Sequence, residues 1–313
     1  MLTVQPKSNS SGAISLTQKL TQGALLLATH VSRVRAGALP YTILEDIQEY
    51  DALCRLYLGR SLMETRVFEI GYGTRPYRLA TLISLGIHAY GVDLDVPLLK
   101  FERQVFLNIY RHNGFERLAK SMFRFFIADS FQNRQMRNML RLQGKTFTAP
   151  AERFLTGNAA QVIPTLDPVD LFISEDVFEH IPRADLETIV AQMAEKLPPD
   201  GLALIRPNVF TGITGGHRVE WFEGNLRKGW YPRWSEPWGH LRGDGREGDT
   251  YLNKLTRSDY RALFEPYFDI LLERVKYPDL GRSYLTENVA RELSHWPREE
   301  LFSNQVLFVL KKK

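Results

Sequence analysis

Cysteine is almost missing from this chain: 313 residues hold one, Cys54. A single thiol closes no disulfide within the chain and builds no Cys-rich zinc site. Long apolar runs are missing too. The longest near the N-terminus is Ala24-Leu25-Leu26-Leu27-Ala28, against the roughly 20 residues that a membrane helix needs. The opening segment, with Lys7-Ser8-Asn9-Ser10-Ser11-Gly12, has no signal-peptide layout. These absences predict a cytoplasmic protein with no membrane span. Glycine (22) and proline (16) are present at ordinary levels, which excludes collagen-like and wholly disordered chains. With 44% hydrophobic and 24% charged residues, the composition is that of a globular protein. The length suits one large domain or two small ones, with room for a sizeable core.

A strong net charge is also lacking, at +4 overall. The distribution is uneven, however. Ten Lys/Arg face three acids between Lys100 and Lys145, so that stretch carries +7 and the rest −3. Such a stretch is either a solvated helix face or an attractor for phosphates, sugar nucleotides, anionic lipid or nucleic acid.

Periodicity divides the chain further. Residues 1–12 read as disordered, and 13–36 and 43–59 as helices, together an N-terminal helical extension over 1–60. Buried strands are predicted at 66–70, 88–93, around 154–156, at 170–174 and at 202–205, alternating with helices at 77–85 and 183–196. A basic helical insertion spans 97–145, with breaks predicted at Asn113-Gly114 and Asp129-Ser130. After an aperiodic segment rich in Gly, Trp and Arg at 208–250 come a helix at 258–264 and strands at 268–275 and 306–310. Alternating strands and helices predict an α/β fold, a mostly parallel sheet covered on both faces.

The first strand runs into Gly71-Tyr72-Gly73 and then a helix, a turn that lets a ligand approach the backbone. Asp93 ends the next strand, 22 residues after Gly71, where a carboxylate can accept both ribose hydroxyls. A dinucleotide site would want a third glycine, but Pro76 stands there, and Glu69 would sit beside a pyrophosphate. Beside an ammonium and a sulfonium the same carboxylate is favourable. A plain tight turn in an α/β protein remains the alternative.

With these residues the sequence resembles the class I S-adenosylmethionine-dependent methyltransferases. "VFEIGYGT" (67–74), "GVDLD" (91–95), "LTGNA" (155–159), "DLFISEDVFEHIP" (170–182) and "LPPDGLALIRPN" (197–208) are similar to that family's successive motifs. Two positions depart: Asn158 stands where an Asp is common, and Asp200 where a glycine is usual. The resemblance implies a Rossmann-like seven-stranded sheet with its last strand antiparallel, formed by residues 61–313. It implies S-adenosylmethionine as cofactor: Glu69 near its amino group, the Gly71, Tyr72 and Gly73 backbone along its methionine and ribose parts, and Asp93 on the ribose. Leu94 would pack on the adenine, Asn158 and Ala159 would read its edge, and Ser174 and Glu175 would face the sulfonium.

For the acceptor side, the candidates for an acid–base group are His180, His217 and His240, with Glu175 and Asp176 beside them. Each histidine has a plain structural alternative. Four of the five tryptophans, Trp221, Trp230, Trp234 and Trp238, fall in the 208–250 segment. They form either a lid that stacks on an acceptor or pins for a loop. Asp176, Glu179, His180 and His217 also resemble the acid-acid-His plus later His of metal-dependent small-RNA ribose methyltransferases, where a cation can activate a hydroxyl.

The reading therefore expects methyl transfer to a small-molecule or glycan hydroxyl, with an anionic acceptor suited to the basic insertion. A metal-dependent RNA ribose 2′-O-methyltransferase and a non-catalytic cofactor-binding scaffold are the alternatives. No RNA-binding motif accompanies the basic stretch.

Overall fold

The computed structural model describes residues 38–98, 103–125, 129–226, 235–244 and 251–313. The helix expected at 13–36, the disorder expected at 1–12, Trp230 and Trp234 lie outside these residues.

A sheet of seven strands organises the chain. After α1 (Ala38–Leu58) come β1 (Arg66–Ile70), α2 (Tyr77–Leu85), β2 (His88–Asp93), α3 (Arg103–Arg124), α4 (Ser130–Leu142), β3 (Phe154–Thr156) and α5 (Ala159–Val162). There follow β4 (Leu171–Glu175), α6 (Arg183–Lys196), β5 (Leu202–Arg206), α7 (Arg257–Phe264), β6 (Phe268–Val275), α8 (Glu287–Glu292), α9 (Arg298–Leu301) and β7 (Val306–Lys312). The strand order is β3-β2-β1-β4-β5-β7-β6. The first five pair in parallel, and β7 runs antiparallel between β5 and β6.

Burial on both faces explains why β4 and β5 read as continuous apolar runs rather than alternations: every residue of each is buried. On one face Phe68, Ile70, Phe172, Ala203 and Ile205 pack under α6 and α7. On the other, Val67, Leu171, Ile173, Leu202 and Leu204 pack under α1, α2 and α4. The helix in the expected extension thus covers the sheet, with Ile43, Ile47, Tyr50 and Cys54 buried against it.

Local signals set the helix ends. Gly86, at φ +97°, closes α2 in the left-handed conformation. Thr256 and Asp259 form a reciprocal capping box at the start of α7. The buried Glu300 adds to it by accepting the N–H groups of Arg257 and Ser258 at 3.0 Å each.

Two details differ from the sequence reading. The break at Asp129-Ser130 separates α3 from α4, but α3 runs unbroken through Asn113-Gly114. Each of those residues costs a helix only about 0.5–1 kcal/mol, and packing of Phe106, Ile109 and Leu118 in one apolar cluster outweighs it. The short helices α8 and α9 carry too few turns to show a period. They supply Val289, Leu293 and Leu301 to a satellite core around Trp221 and Trp238.

Candidate functional site

The carboxyl ends of neighbouring strands bring the glycine turn, Asp93 and Asn158 side by side. Gly71 and Gly73 both take positive φ, +80° and +71°, which favours glycine. They are glycines for different reasons. A Cβ on Gly71 would lie 2.3 Å from Cγ2 of Val177, in the loop after β4, so that position is closed by the protein itself. A Cβ on Gly73 would meet only the Arg75 nitrogen, at 4.0 Å, so space is open before it. The Gly73 N–H donates to Asp93 Oδ2 at 2.7 Å and the Asp95 N–H to Oδ1 at 2.8 Å. Burial pushes the Asp93 carboxyl up from its ordinary range, and these two backbone donors oppose the shift. Each oxygen keeps a lone pair for a further donor.

The remaining cofactor candidates divide by environment. Leu94 is 77% exposed at the rim, an apolar surface that a flat ring can cover. The Tyr72 side chain turns inward: its hydroxyl donates to the Leu155 carbonyl at 2.9 Å and its ring packs edge-on against Phe154. Asn158 caps α5, its Oδ1 accepting from the Ala160 N–H at 2.9 Å, with Ala159 as the first residue of the helix. Ser174 ties β4 to β1 through its hydroxyl and the Ile70 carbonyl.

Glu175 belongs to a buried ionic network that joins the strand ends to α1. Its carboxylate accepts from the Tyr50 hydroxyl at 2.6 Å and from Arg206 Nη1 at 3.1 Å. Arg206, 2% exposed, also pairs with Asp46 and Glu49 of α1. Arg78 links Asp46 to Glu69. Burial pushes Glu69 up to about 7, with Arg78 opposing, and lifts Glu175 as well. Asp46, Glu49, Tyr50, Arg78 and Arg206 were not among the sequence candidates. The only signal for them was charge on the buried face of an otherwise apolar helix and strand.

On the acceptor side the structure gathers three of the predicted residues. Ligand atoms of Glu179, His180 and His217 all lie within 4.8 Å of one another. His217 Nε2 stands 3.6 Å from Glu179 Oε1, and the two imidazole rings meet edge-on at 4.7 Å. His180 Nδ1 hydrogen-bonds to the Tyr251 carbonyl at 3.0 Å, which orients its ring. Glu179 is 3% exposed, yet neither of its oxygens takes a well-formed hydrogen bond, and neither does His217 Nε2. Burial and the nearby Asp176 drive the Glu179 carboxyl well above the usual range, and weak attraction to the backbone N–H groups of Glu179 and Asn208 opposes them. Burial lowers the His217 imidazole to about 4. Asp176 (φ 55°) and His217 (φ 50°) both hold left-handed backbone conformations, a strain that concentrates at functional sites.

The other candidates are placed elsewhere. Asp176 is exposed, turns to Gln305 and does not join the three-residue cluster. His240 packs against Phe210, with Nε2 hydrogen-bonded to that residue's carbonyl at 2.8 Å. Trp221 and Trp238 are 1% and 0% exposed, so these two are core residues rather than a stacking lid. Trp221 donates its Nε1–H to Ser235 at 2.7 Å. Arg218, next to His217, forks onto Asp244.

Seven strands with the last one antiparallel are what the resemblance implies. The fold is a Rossmann-like α/β sheet of seven strands. Solved structures with a similar course of chain include magnesium protoporphyrin IX methyltransferase from Synechocystis PCC 6803 with bound SAH. It is 13% identical, covers 97% of this chain and 90% of its own, and has a TM-score of 0.41. Geranyl diphosphate C-methyltransferase from Streptomyces coelicolor A3(2) is 13% identical over 85% and 76% of the two chains, with a TM-score of 0.42. A TehB-like SAM-dependent methyltransferase from Corynebacterium glutamicum is 12% identical over 88% and 99%, with a TM-score of 0.37. No protein-family model matches the chain, and no curated protein matches it. At such identities the acceptors of those enzymes say nothing of this one.

The residues present fit the methyltransferase cofactor. The buried Glu69 Oε2 has no donor, the space before Gly73 is open, and Leu94 offers an exposed apolar face.

Proposed function

We propose that this chain binds S-adenosylmethionine across Glu69, Gly73, Asp93 and Leu94 and directs its methyl group to a hydroxyl of a small-molecule or glycan acceptor. The observation that carries the reading is the open backbone before Gly73, flanked by the buried carboxylate of Glu69 and the half-buried one of Asp93 on adjacent strands. Bound there, S-adenosylmethionine supplies a methyl group activated by its sulfonium. The chain's own task is to position the acceptor oxygen and manage its proton. His217, lowered to about 4 by burial, is neutral at pH 7 and can accept that proton at Nε2, the atom left without a partner. His180 and Glu179 flank it. The basic insertion gives the acceptor an anionic character, as in a phosphorylated or nucleotide-linked sugar.

A second reading is favoured by the bare polar atoms of the cluster. Two imidazoles and a carboxylate whose oxygens lack hydrogen bonds are a donor set for a divalent transition metal. Glu179, His180 and His217 would hold the ion, which would lower the pKa of an acceptor hydroxyl, an RNA ribose among the possible acceptors.

Transfer of labelled methyl to sugars, nucleotide sugars, phenols and RNA, with and without chelator, tests both readings. The first expects chelator-resistant transfer to a small hydroxyl compound, lost in His217→Ala. Chelator-sensitive transfer restored by Mn²⁺ selects the second. Cofactor binding without transfer to any acceptor supports the scaffold alternative.

A further inference from the structure

The insertion between β2 and β3 carries a surface that neither the cofactor turn nor the Glu179 cluster uses. Helix α4 holds no acidic residue. It buries Gln132, Met136 and Leu140, spaced four apart, and Met136 and Leu140 are fully covered. The opposite face turns Arg134, Arg137 and Arg141 outward, and Lys145 follows the helix, exposed as well. Arg137 stacks on Phe147. Among the described residues, Arg134, Arg141 and Lys145 make no ion pair. Exposed arginines elsewhere are paired: Arg55 with Asp51 at 2.8 Å, Arg183 with Glu187 at 3.2 Å and Arg282 with Asp279 at 2.6 Å.

Charge alone does not describe this face. Phe131 is 45% exposed and Leu142 is 87% exposed. The spacing of Phe131, Arg134, Asn138 and Leu142 sets both apolar side chains on the same side of the helix as the cations. In the same insertion α3 repeats the mixture, with Leu107, Tyr110 and Phe115 exposed beside Arg111. A nucleic-acid backbone is met by cations alone. An anionic bilayer takes cations at its head groups and apolar side chains just beneath them.

We propose that α4 docks this protein on the surface of an anionic lipid bilayer. Arg134, Arg141 and Lys145 meet the phosphate head groups, and Phe131 and Leu142 enter the interface. The helix lies along the surface rather than across it, because its 13 residues span only about 20 Å. Nothing in this docking depends on the cofactor or the acceptor, so it and the methyl-transfer reading stand or fall separately.

Co-sedimentation of the full chain with vesicles tests it. One set is phosphatidylcholine alone, and the other is equal parts phosphatidylcholine and phosphatidylglycerol. The wild type should bind the second set at least about tenfold more tightly, and high salt should weaken that binding. Arg134→Gln with Arg141→Gln should weaken it about tenfold or more. Arg183→Gln with Arg282→Gln removes the same charge from other elements and should leave it unchanged. Phe131→Ser with Leu142→Ser changes no charge, yet should weaken binding about tenfold. Thermal unfolding of each variant checks that the fold is kept, and Leu142→Ser alone carries the apolar test if the double variant unfolds early. The proposal is overturned if the wild type binds neither set or both alike, or if the Arg183 and Arg282 changes cost as much as those on α4. It is overturned equally if the apolar variant binds as the wild type does, since head-group charge alone would then account for the face. Binding to a single-stranded RNA without binding to vesicles also overturns it, and so does a dimer in solution that Leu142→Ser dissolves.

Discussion

His217 Nε2 lies 3.6 Å from Glu179 Oε1, although 38 residues separate the two in the chain. The loops after β4 and β5 bring them together at the carboxyl edge of the sheet, where ligands of open α/β folds bind. His217→Ala and Glu179→Ala should each lower methyl transfer at least 100-fold, the usual scale for losing a proton-handling group. Affinity for S-adenosylhomocysteine should change less than about threefold in either variant. Single-turnover transfer and calorimetry on the same preparations separate the two effects. Loss of cofactor binding in both variants would place the pair in the cofactor site instead.

Gly71 is required by packing as much as by backbone. Alanine there would set its Cβ 2.3 Å from Val177 at a φ of +80°. Gly71→Ala should destabilise the protein by about 2–4 kcal/mol. Adding Val177→Ala should recover part of that loss by removing the γ-methyls, while the close approach of Cβ at 2.8 Å and the backbone strain remain. Denaturant unfolding of the two variants measures the share due to the γ-methyls.

With Glu69 as the proposed partner of the cofactor's ammonium, cofactor binding should depend on pH. Burial raises its folded pKa to about 7, so the carboxyl is ionised above that value and protonated below it. An ammonium ligand needs the ionised form. Affinity for S-adenosylhomocysteine should therefore weaken about tenfold from pH 8 to pH 6. Glu69→Gln should bind more weakly and show a flatter profile over that range.

The network under α1 predicts unequal costs for its members. Arg206→Met leaves Asp46, Glu49 and Glu175 facing one another without their shared guanidinium and should cost about 3–5 kcal/mol. Tyr50→Phe removes one donor from Glu175, whose other oxygen keeps Arg206, and should cost about 1–2 kcal/mol. Equilibrium unfolding of both variants checks the ranking.

Strands were legible because each buried run is short, apolar and bounded by turn residues: β1, β3 and β6 match their predicted spans, and β4 shifts by one residue. The glycine turn and Asp93 were legible for the same local reason, since their spacing follows from one strand-helix-strand unit. The grouping of Glu179 and His180 with His217 depends on two loops meeting, which spacing alone does not report. Asp176, one turn earlier than Glu179 in the sequence, looked equivalent to it, yet its left-handed backbone turns it toward Gln305. Tryptophans in a Gly-rich segment read equally as lid or core. Burial of Trp221 and Trp238 depended on α8 and α9, elements too short to show a period. The α1 network was hidden because its members come from α1, α2, β1, β4 and β5, and each charge taken alone resembles an ordinary surface residue.

Occupation of the Gly73 turn and Asp93 by S-adenosylmethionine is the proposal on which the remaining predictions rest. Titration of the wild type and Asp93→Ala with S-adenosylhomocysteine, with NAD as the competing dinucleotide, tests it most directly. Micromolar binding of S-adenosylhomocysteine to the wild type is expected, with a loss of about tenfold or more in Asp93→Ala and no binding of NAD. Binding of NAD instead, or S-adenosylhomocysteine affinity unchanged by Asp93→Ala, would contradict it.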